Sequence, residues 1–372
     1  MKVTFPHMGH FHIIGKTIFE GFGLDVVVPP PCTKNTLNLG TKYSPESACL
    51  PLKINIGNYL EAAELGADTI IMGGGVGPCR FGYYAEVQRE ILEELGYDMD
   101  MVILEPPDVH LREVWDKVKY LMHSTWTRSL KSIYLAWHKT QTIDQLEMEL
   151  HRLRPRVVNI RETEDVFNHF LIDIDKCNTK AQVKKTLNNY QGELSLISTH
   201  KDKPIIKIAI VGEIYTVLEP FVNFDMEKIL GGLGVEVYRP LFLSQWINDH
   251  LFGGLLSTNK SSKAAKLLSE PYLNYFVGGH GRETVGHAVE LKDKVDGIIQ
   301  IAPLTCMPEI VAQSLLLKVS EDWGLPIMTI YVDEQTGKAG LTTRLEAFTD
   351  MIHRKKFSYE YEKEEITTCV GI

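Results

Sequence analysis

The sequence has no C-x-x-C pair, so neither a zinc-ribbon nor a ferredoxin spacing applies. It has no apolar run near the roughly 18 residues that span a bilayer. Its first residues, MKVTFPHMGHFHIIGK, lack the apolar core and small-residue cleavage site of a secretory leader. No short-period repeat is present, which excludes solenoids and propellers. Positive charge is in deficit: 39 Lys and Arg stand against 48 Asp and Glu, a net charge of -9. Nucleic acid is therefore excluded as a main partner, because phosphate binding needs a basic surface. The chain is expected in the cytoplasm and off the membrane. There thiols stay reduced, and clustered cysteines indicate metal or redox chemistry rather than disulfides.

What is present is 372 residues, 44% hydrophobic and 23% charged, enough for two domains of ordinary size. In residues 1–107 the strand patterns Lys2–Pro6, Leu24–Val28, Thr69–Met72 and Asp100–Leu104 alternate with helical spacing over Gly15–Phe22, Cys49–Leu65 and Tyr83–Leu95. Residues 108–203 are rich in helix formers. Trp115, Tyr120, Trp126, Tyr134 and Trp137 fall at mostly helical intervals and are expected to pack helices against the sheets, while Asn178–Lys203 reads as a polar connector. Residues 204–372 resume the alternation. Strands are expected at Ile205–Gly212, Val235–Tyr238, Tyr275–Val277, Gly297–Ala302 and Pro326–Val332, with helices at Asn223–Leu230, Arg282–Leu291, Ile310–Glu321 and Arg344–Ile352. The expected class is α/β: two doubly wound parallel-sheet domains of Rossmann or flavodoxin type, 1–107 and 204–372, joined by the helical segment 108–203.

The six cysteines matter by position. Cys32, Cys79 and Cys306 each follow a predicted parallel strand, at the sheet edge where open α/β folds build their sites. Cys49, in SPESACLPLK, opens a helix whose first amides would stabilise a thiolate, with Ser44 expected to cap the turn before it. Thiolates with nearby N–H donors hold iron–sulfur clusters, and Gly73–Gly77 lets backbone amides come close to an inorganic core. Cys177 and Cys369 sit in poorer contexts.

SPESACLPLKINIGNYLEAAELGAD and GGGVGPCRFGYYAEVQREILEELGYD, with VGEIYTVLEPFVNF, GGHGRETVGHAVE, IAPLTCMPEI and DEQTGKAGLTTRLEAFTD, give the chain a family likeness from about residue 3 to residue 352. It resembles the proteins related to 2-hydroxyacyl-CoA dehydratase D-components and their activases. The resemblance implies two α/β domains facing across a cleft that houses a [4Fe–4S] cluster on Cys49, Cys79 and Cys306, with Cys32 or an exchangeable ligand as the fourth. A double-cubane cluster would need Cys177 and Cys369 as well. The implied partner is a dimeric, ATP-hydrolysing activator of the sugar kinase/heat-shock chaperone/actin type, itself an iron–sulfur protein, that drives low-potential electrons onto this chain for a difficult reduction or dehydration. Two alternatives stand beside this. One is an acyl-CoA dehydratase component binding a CoA thioester at the cluster, although no CoA-specific motif is visible. The other is a non-catalytic partner of the activator with a structural cluster.

Other residues carry weaker signals. Gly73-Gly74-Gly75-Val76-Gly77 misses the G-x-G-x-x-G spacing of a dinucleotide site. Arg80 is placed to pair with a cluster sulfur, an anionic substrate or a surface carboxylate. Glu213 and Tyr215 should point into the cleft. His280 and Arg282 precede a helix, where an anion or a simple cap is expected. Glu309 reads as a helix-start carboxylate. His7, His10 and His12 resemble a metal cluster, but strand alternation would split them between faces.

Overall fold

The computed structural model describes residues 1–75, 77–104, 107–200, 203–251 and 262–369, with the side chains of 107–112, 114, 249–251 and 358–369 left aside. The N-terminal half contains β1 (Lys2–Thr4), α1 (Phe11–Gly21), β2 (Asp25–Val26), α2 (Lys34–Tyr43), α3 (Leu50–Glu64), β3 (Thr69–Gly73), α4 (Tyr84–Glu94) and β4 (Asp100–Leu104). Four helices follow: α5 (Pro107–Leu121), α6 (Trp126–Leu153), α7 (Ile160–Asp175) and α8 (Lys180–Ser195). The C-terminal half begins with β5 (Ile206–Gly212), the short helices α9 (Ile214–Leu218), α10 (Pro220–Asn223) and α11 (Met226–Gly232), and β6 (Val235–Tyr238). It continues through α12 (Leu243–Leu251), α13 (Ser262–Ser269), α14 (Gly281–Leu291), β7 (Gly297–Pro303), α15 (Met307–Trp323), β8 (Ile327–Val332) and α16 (Lys338–Cys369).

Both sheets are four-stranded and wholly parallel, and they share one order, β2-β1-β3-β4 and β6-β5-β7-β8. The fold is therefore the α/β architecture of two doubly wound halves. Parallel strands need crossover helices that cover both faces, so the strands read as continuous apolar runs. β7, GIIQIAP, is buried at every position. In each half the chain reverses direction between the first and third strands, and the crevice beyond those strand ends is where such sheets take ligands. Cys79 and Cys306 follow these equivalent third strands, β3 and β7.

α3 sets the relation of the halves. Twelve of its fifteen residues are buried, the polar Lys53, Asn55 and Asn58 among them, so the helix is covered on nearly all sides. Leu52, Ile56, Tyr59 and Leu60 pack with Ile70 and Met72 of β3, whereas Leu50 and Ile54 join Ile208, Ile210, Ile299, Ile301 and Ile330 of the second sheet. The helix is thus a wedge shared by two cores, and Cys49 sits at its start. α2 lies against it because Gly40 and Gly57 allow backbone contact: a Cβ at Gly40 would fall 1.8 Å from the Lys53 carbonyl oxygen, and one at Gly57 2.0 Å from that of Thr36.

Several expectations from the sequence are corrected. Tyr275–Val277 is loop rather than strand, and Tyr275 and Phe276 stay exposed. The polar connector contains α8, started by a Thr179–Gln182 capping box. Thr33 and Thr36 likewise cap α2. Ser44 closes the C-terminal end of α2 by donating to the Gly40 carbonyl, and does not cap α3. The aromatic stripe mostly faces outward: Trp115, Tyr120, Trp126 and Tyr134 are exposed, and Trp115 stacks on Trp126 with ring centres 5.0 Å apart. Among the described residues no helix is long and apolar enough to cross a membrane.

Candidate functional site

Cys49, Cys79 and Cys306 occupy the same local position in three different loops. Each is the residue before a helical turn, with extended backbone: Cys49 before α3, Cys79 before the short turn Arg80–Tyr83, and Cys306 before α15. None makes a short side-chain cap bond of the oxygen kind, and the positive end of each turn lies next to its cysteine. The Phe81 N–H reaches the Cys79 sulfur and the Glu309 N–H reaches that of Cys306. The Cys49 sulfur shares a 2.6 Å hydrogen bond with the Tyr84 hydroxyl.

The three thiols feel one another. The charge of Cys49 bears on both Cys79 and Cys306, and that of Glu213 bears on all three. Charges at ordinary salt influence one another over about 8–10 Å, so the three thiols and Glu213 lie in one neighbourhood. Burial is the largest influence on each thiol and pushes all three up. At Cys49 the Tyr84 hydroxyl and the Arg80 charge partly offset it. The ligand-free site therefore holds thiols, and a cation placed among them would have to displace their protons.

Arg80 ties the site together. Its guanidinium donates to the Ser47 carbonyl at 2.8 Å, to the Thr305 carbonyl at 2.6 Å and to the Thr305 hydroxyl at 2.9 Å. Thr305 in turn donates to the Ser47 carbonyl at 3.2 Å. One side chain beside Cys79 thus joins the loop two residues before Cys49 to the residue before Cys306, across the two halves. Thr305 pays for this with left-handed backbone at φ 68°, an outlier for a β-branched residue and a mark of local strain at a site. On the other side Gly278, at φ 82°, backs the Cys79 loop so closely that a Cβ would lie 2.7 Å from the Cys79 nitrogen.

The set is too wide for a single ion. Thiolates on one tetrahedral zinc stand about 3.8 Å apart, given Zn–S bonds near 2.3 Å. Among the described residues, the group of three ligand atoms within 4.8 Å of one another is His7, Cys32 and Glu219, not these cysteines. A polynuclear core, in which each thiolate binds a different metal atom, spreads its ligands further. Three buried or half-buried thiols at helix starts are donors of the kind such cores use.

Cys32 is not brought to the other three. It lies beside Asn58, whose amide nitrogen is 3.6 Å from its sulfur. Asn58 is nine residues beyond Cys49 along α3, roughly 13 Å of helix rise. Cys177 packs in the helical segment, with its thiol 3.4 Å from the Asp173 carbonyl, and the side chain of Cys369 lies outside the described residues.

Of the weaker candidates, Glu213 does reach the cleft. Its carboxylate accepts from the Tyr215 and Thr216 amides and the Thr216 hydroxyl, and burial still lifts its pKa. Tyr215 instead donates to the His7 carbonyl. Glu309 is wholly buried, accepting from Thr284 and Gln300, and burial raises it to about 7. Arg282 holds α13 through the Lys266 carbonyl. The alternation reasoning for His7, His10 and His12 does not hold, because β1 stops at Thr4 and the three lie in the following loop and first helical turn. Tyr84, Thr305 and Gly278 lie within the quoted motifs, but nothing in the residue pattern marks them individually; the fold brings them here. Neither the protein-family models nor the curated proteins compared with this chain match it.

Proposed function

We propose that this chain is an iron–sulfur protein of the 2-hydroxyacyl-CoA dehydratase-like kind, working in the cytoplasm, that holds a [4Fe–4S] cluster on Cys49, Cys79 and Cys306. In this reading it accepts low-potential electrons from an ATP-hydrolysing activator for a difficult reduction or dehydration. The observation that carries the reading is the meeting of three helix-start cysteines, from both halves of the molecule, under one arginine clasp.

The chain's own residues divide the work. Cys49, Cys79 and Cys306 supply thiolates, and the Phe81 and Glu309 amides donate to two of the sulfurs. Such donors and the nearby Arg80 charge stabilise an added electron, which raises a reduction potential. Burial of Cys49 and Cys306 keeps water from two of the three ligands. With Cys32 placed elsewhere, the fourth position is left to an exchangeable ligand, which is where a substrate oxygen would bind. When bound, the cluster would supply one-electron chemistry.

Anaerobic purification should give brown protein with about four irons and four sulfides per chain. Cys79→Ser and Cys306→Ser should each remove most of that iron, while Cys177→Ser should leave it unchanged. Iron-free wild-type protein from an anaerobic preparation would overturn the reading.

A further inference from the structure

The seam between the halves holds another set of metal-ligating atoms, made from different loops. His7 follows β1, Cys32 follows β2, and Glu219 joins α9 to α10, so two come from the N-terminal half and one from the C-terminal half. All three are buried, and a His7 ring nitrogen, the Cys32 sulfur and a Glu219 oxygen lie within 4.8 Å of one another. His7 Nδ1 and Glu219 Oε2 are 3.1 Å apart, close to the separation of two ligands on one tetrahedral ion with bonds of about 2.0–2.2 Å.

The atoms behind these three are already set. The Gly9 amide donates to Glu219 Oε2 at 2.8 Å and the Phe221 amide to Oε1 at 3.3 Å, so the carboxylate is held from outside. The His7 amide donates to Asn58 Oδ1, and the Tyr215 hydroxyl to the His7 carbonyl, which fixes the histidine loop from both halves. Metal sites owe much of their affinity to such outer contacts. Asn58 also puts an amide oxygen 3.9 Å from the Cys32 sulfur, within reach of a fourth position.

We infer that His7, Cys32 and Glu219 form a separate site for one borderline divalent cation of the Zn2+ class, which pins the two halves together. The mixed sulfur, nitrogen and oxygen donor set selects this class. Mg2+ and Ca2+ demand oxygen ligands in greater number and do not take thiolate. Binding exchanges the Cys32 thiol proton for a sulfur–metal bond and involves no redox change. The site does not depend on the iron–sulfur reading, since it uses none of Cys49, Cys79 or Cys306.

The full-length variant carrying Cys49→Ser, Cys79→Ser and Cys306→Ser, stripped of metal, is titrated with Co2+ as the probe. The expected result is about one Co2+ per chain, with the visible bands of a tetrahedral ion and a near-ultraviolet thiolate charge-transfer band, all displaced by Zn2+. Adding Cys32→Ser should abolish the charge-transfer band, and adding His7→Gln should weaken binding at least about tenfold. A folded triple variant that takes up no Co2+, or a charge-transfer band that survives Cys32→Ser, overturns the inference. Should the triple variant fail to fold, zinc is measured in wild type and in Cys32→Ser after exposure to Zn2+. Loss of about one zinc with iron unchanged supports the site, and equal zinc in both refutes it.

Discussion

Two arginines hold distant parts of this chain together, and they do so in opposite ways. Arg80 is exposed at the cleft mouth and its three partners are neutral oxygens, two carbonyls and a hydroxyl. Arg239, just past β6, is 5% exposed and pairs with Glu147 of α6 and Glu227 of α11. Its Nε lies 3.2 Å from Glu227 Oε1 but off line, an ion pair without a hydrogen bond. Asp144, His10, His151 and Arg154 surround the same knot. The exposed clasp leaves its charge unneutralised beside three thiols, where it bears on whatever binds there. The buried knot spends its charge on internal carboxylates and fastens the helical segment to the C-terminal half. The first is arranged for chemistry, the second for architecture.

The sharpest way to break this contrast is Arg239→Ala. It strands two largely buried carboxylates and should cost about 3–5 kcal/mol in chemical denaturation. A loss below about 1 kcal/mol would show that the knot is merely ornamental. Next comes Asp144→Asn. Burial lifts Asp144 from 3.8 to about 7, with Glu147 adding to it. A raised acid favours the folded state while it keeps its proton, so this contribution is complete below pH 4 and is lost as pH rises through about 7. Asp144→Asn should therefore be more stable than wild type at pH 8, by on the order of 2 kcal/mol, and no more stable at pH 4. Glu147 runs the other way: the Arg239 charge and His10 outweigh burial and hold it down at about 2. Its contribution is present above about 4.5 and fades as acid approaches 2.

Smaller effects on stability are expected at the clasp. Arg80→Ala loses exposed hydrogen bonds and should cost about 1 kcal/mol or less, yet under the proposed iron–sulfur function it should lower iron retention and shift the potential downward. Arg80→Lys should not restore either, because an ammonium cannot reproduce the planar fork across Ser47 and Thr305. Unchanged iron and potential in both variants would move Arg80 into the architectural class. The smallest change is Thr305→Gly. Relief of left-handed strain, about 1–2 kcal/mol, nearly offsets the lost hydroxyl bonds, so the melting temperature should stay within a few degrees while iron retention falls.

Much of this was readable from residues. Largely apolar runs such as Ile206–Gly212 and Gly297–Pro303 announce buried parallel strands, and crossover topology puts the residues after them at one sheet edge. Cys79 and Cys306 follow from that logic. Cys32 follows it too and is nonetheless elsewhere, beside Asn58, His7 and Glu219. The Trp115–Trp126 pair shows another limit: helical spacing reveals that a face exists, not whether anything covers it.

The sequence by itself determined the class of fold and the placing of Cys79 and Cys306 after strands and of Cys49 at a helix start, since these depend on local propensity and hydrophobic period. Only the tertiary structure decided which of those cysteines meet. That choice rests on how α3 wedges between two cores, on Arg80 bridging loops some 225 residues apart, and on the seam that joins His7 to Glu219. Contacts between residues so distant in the chain leave no periodic trace along it.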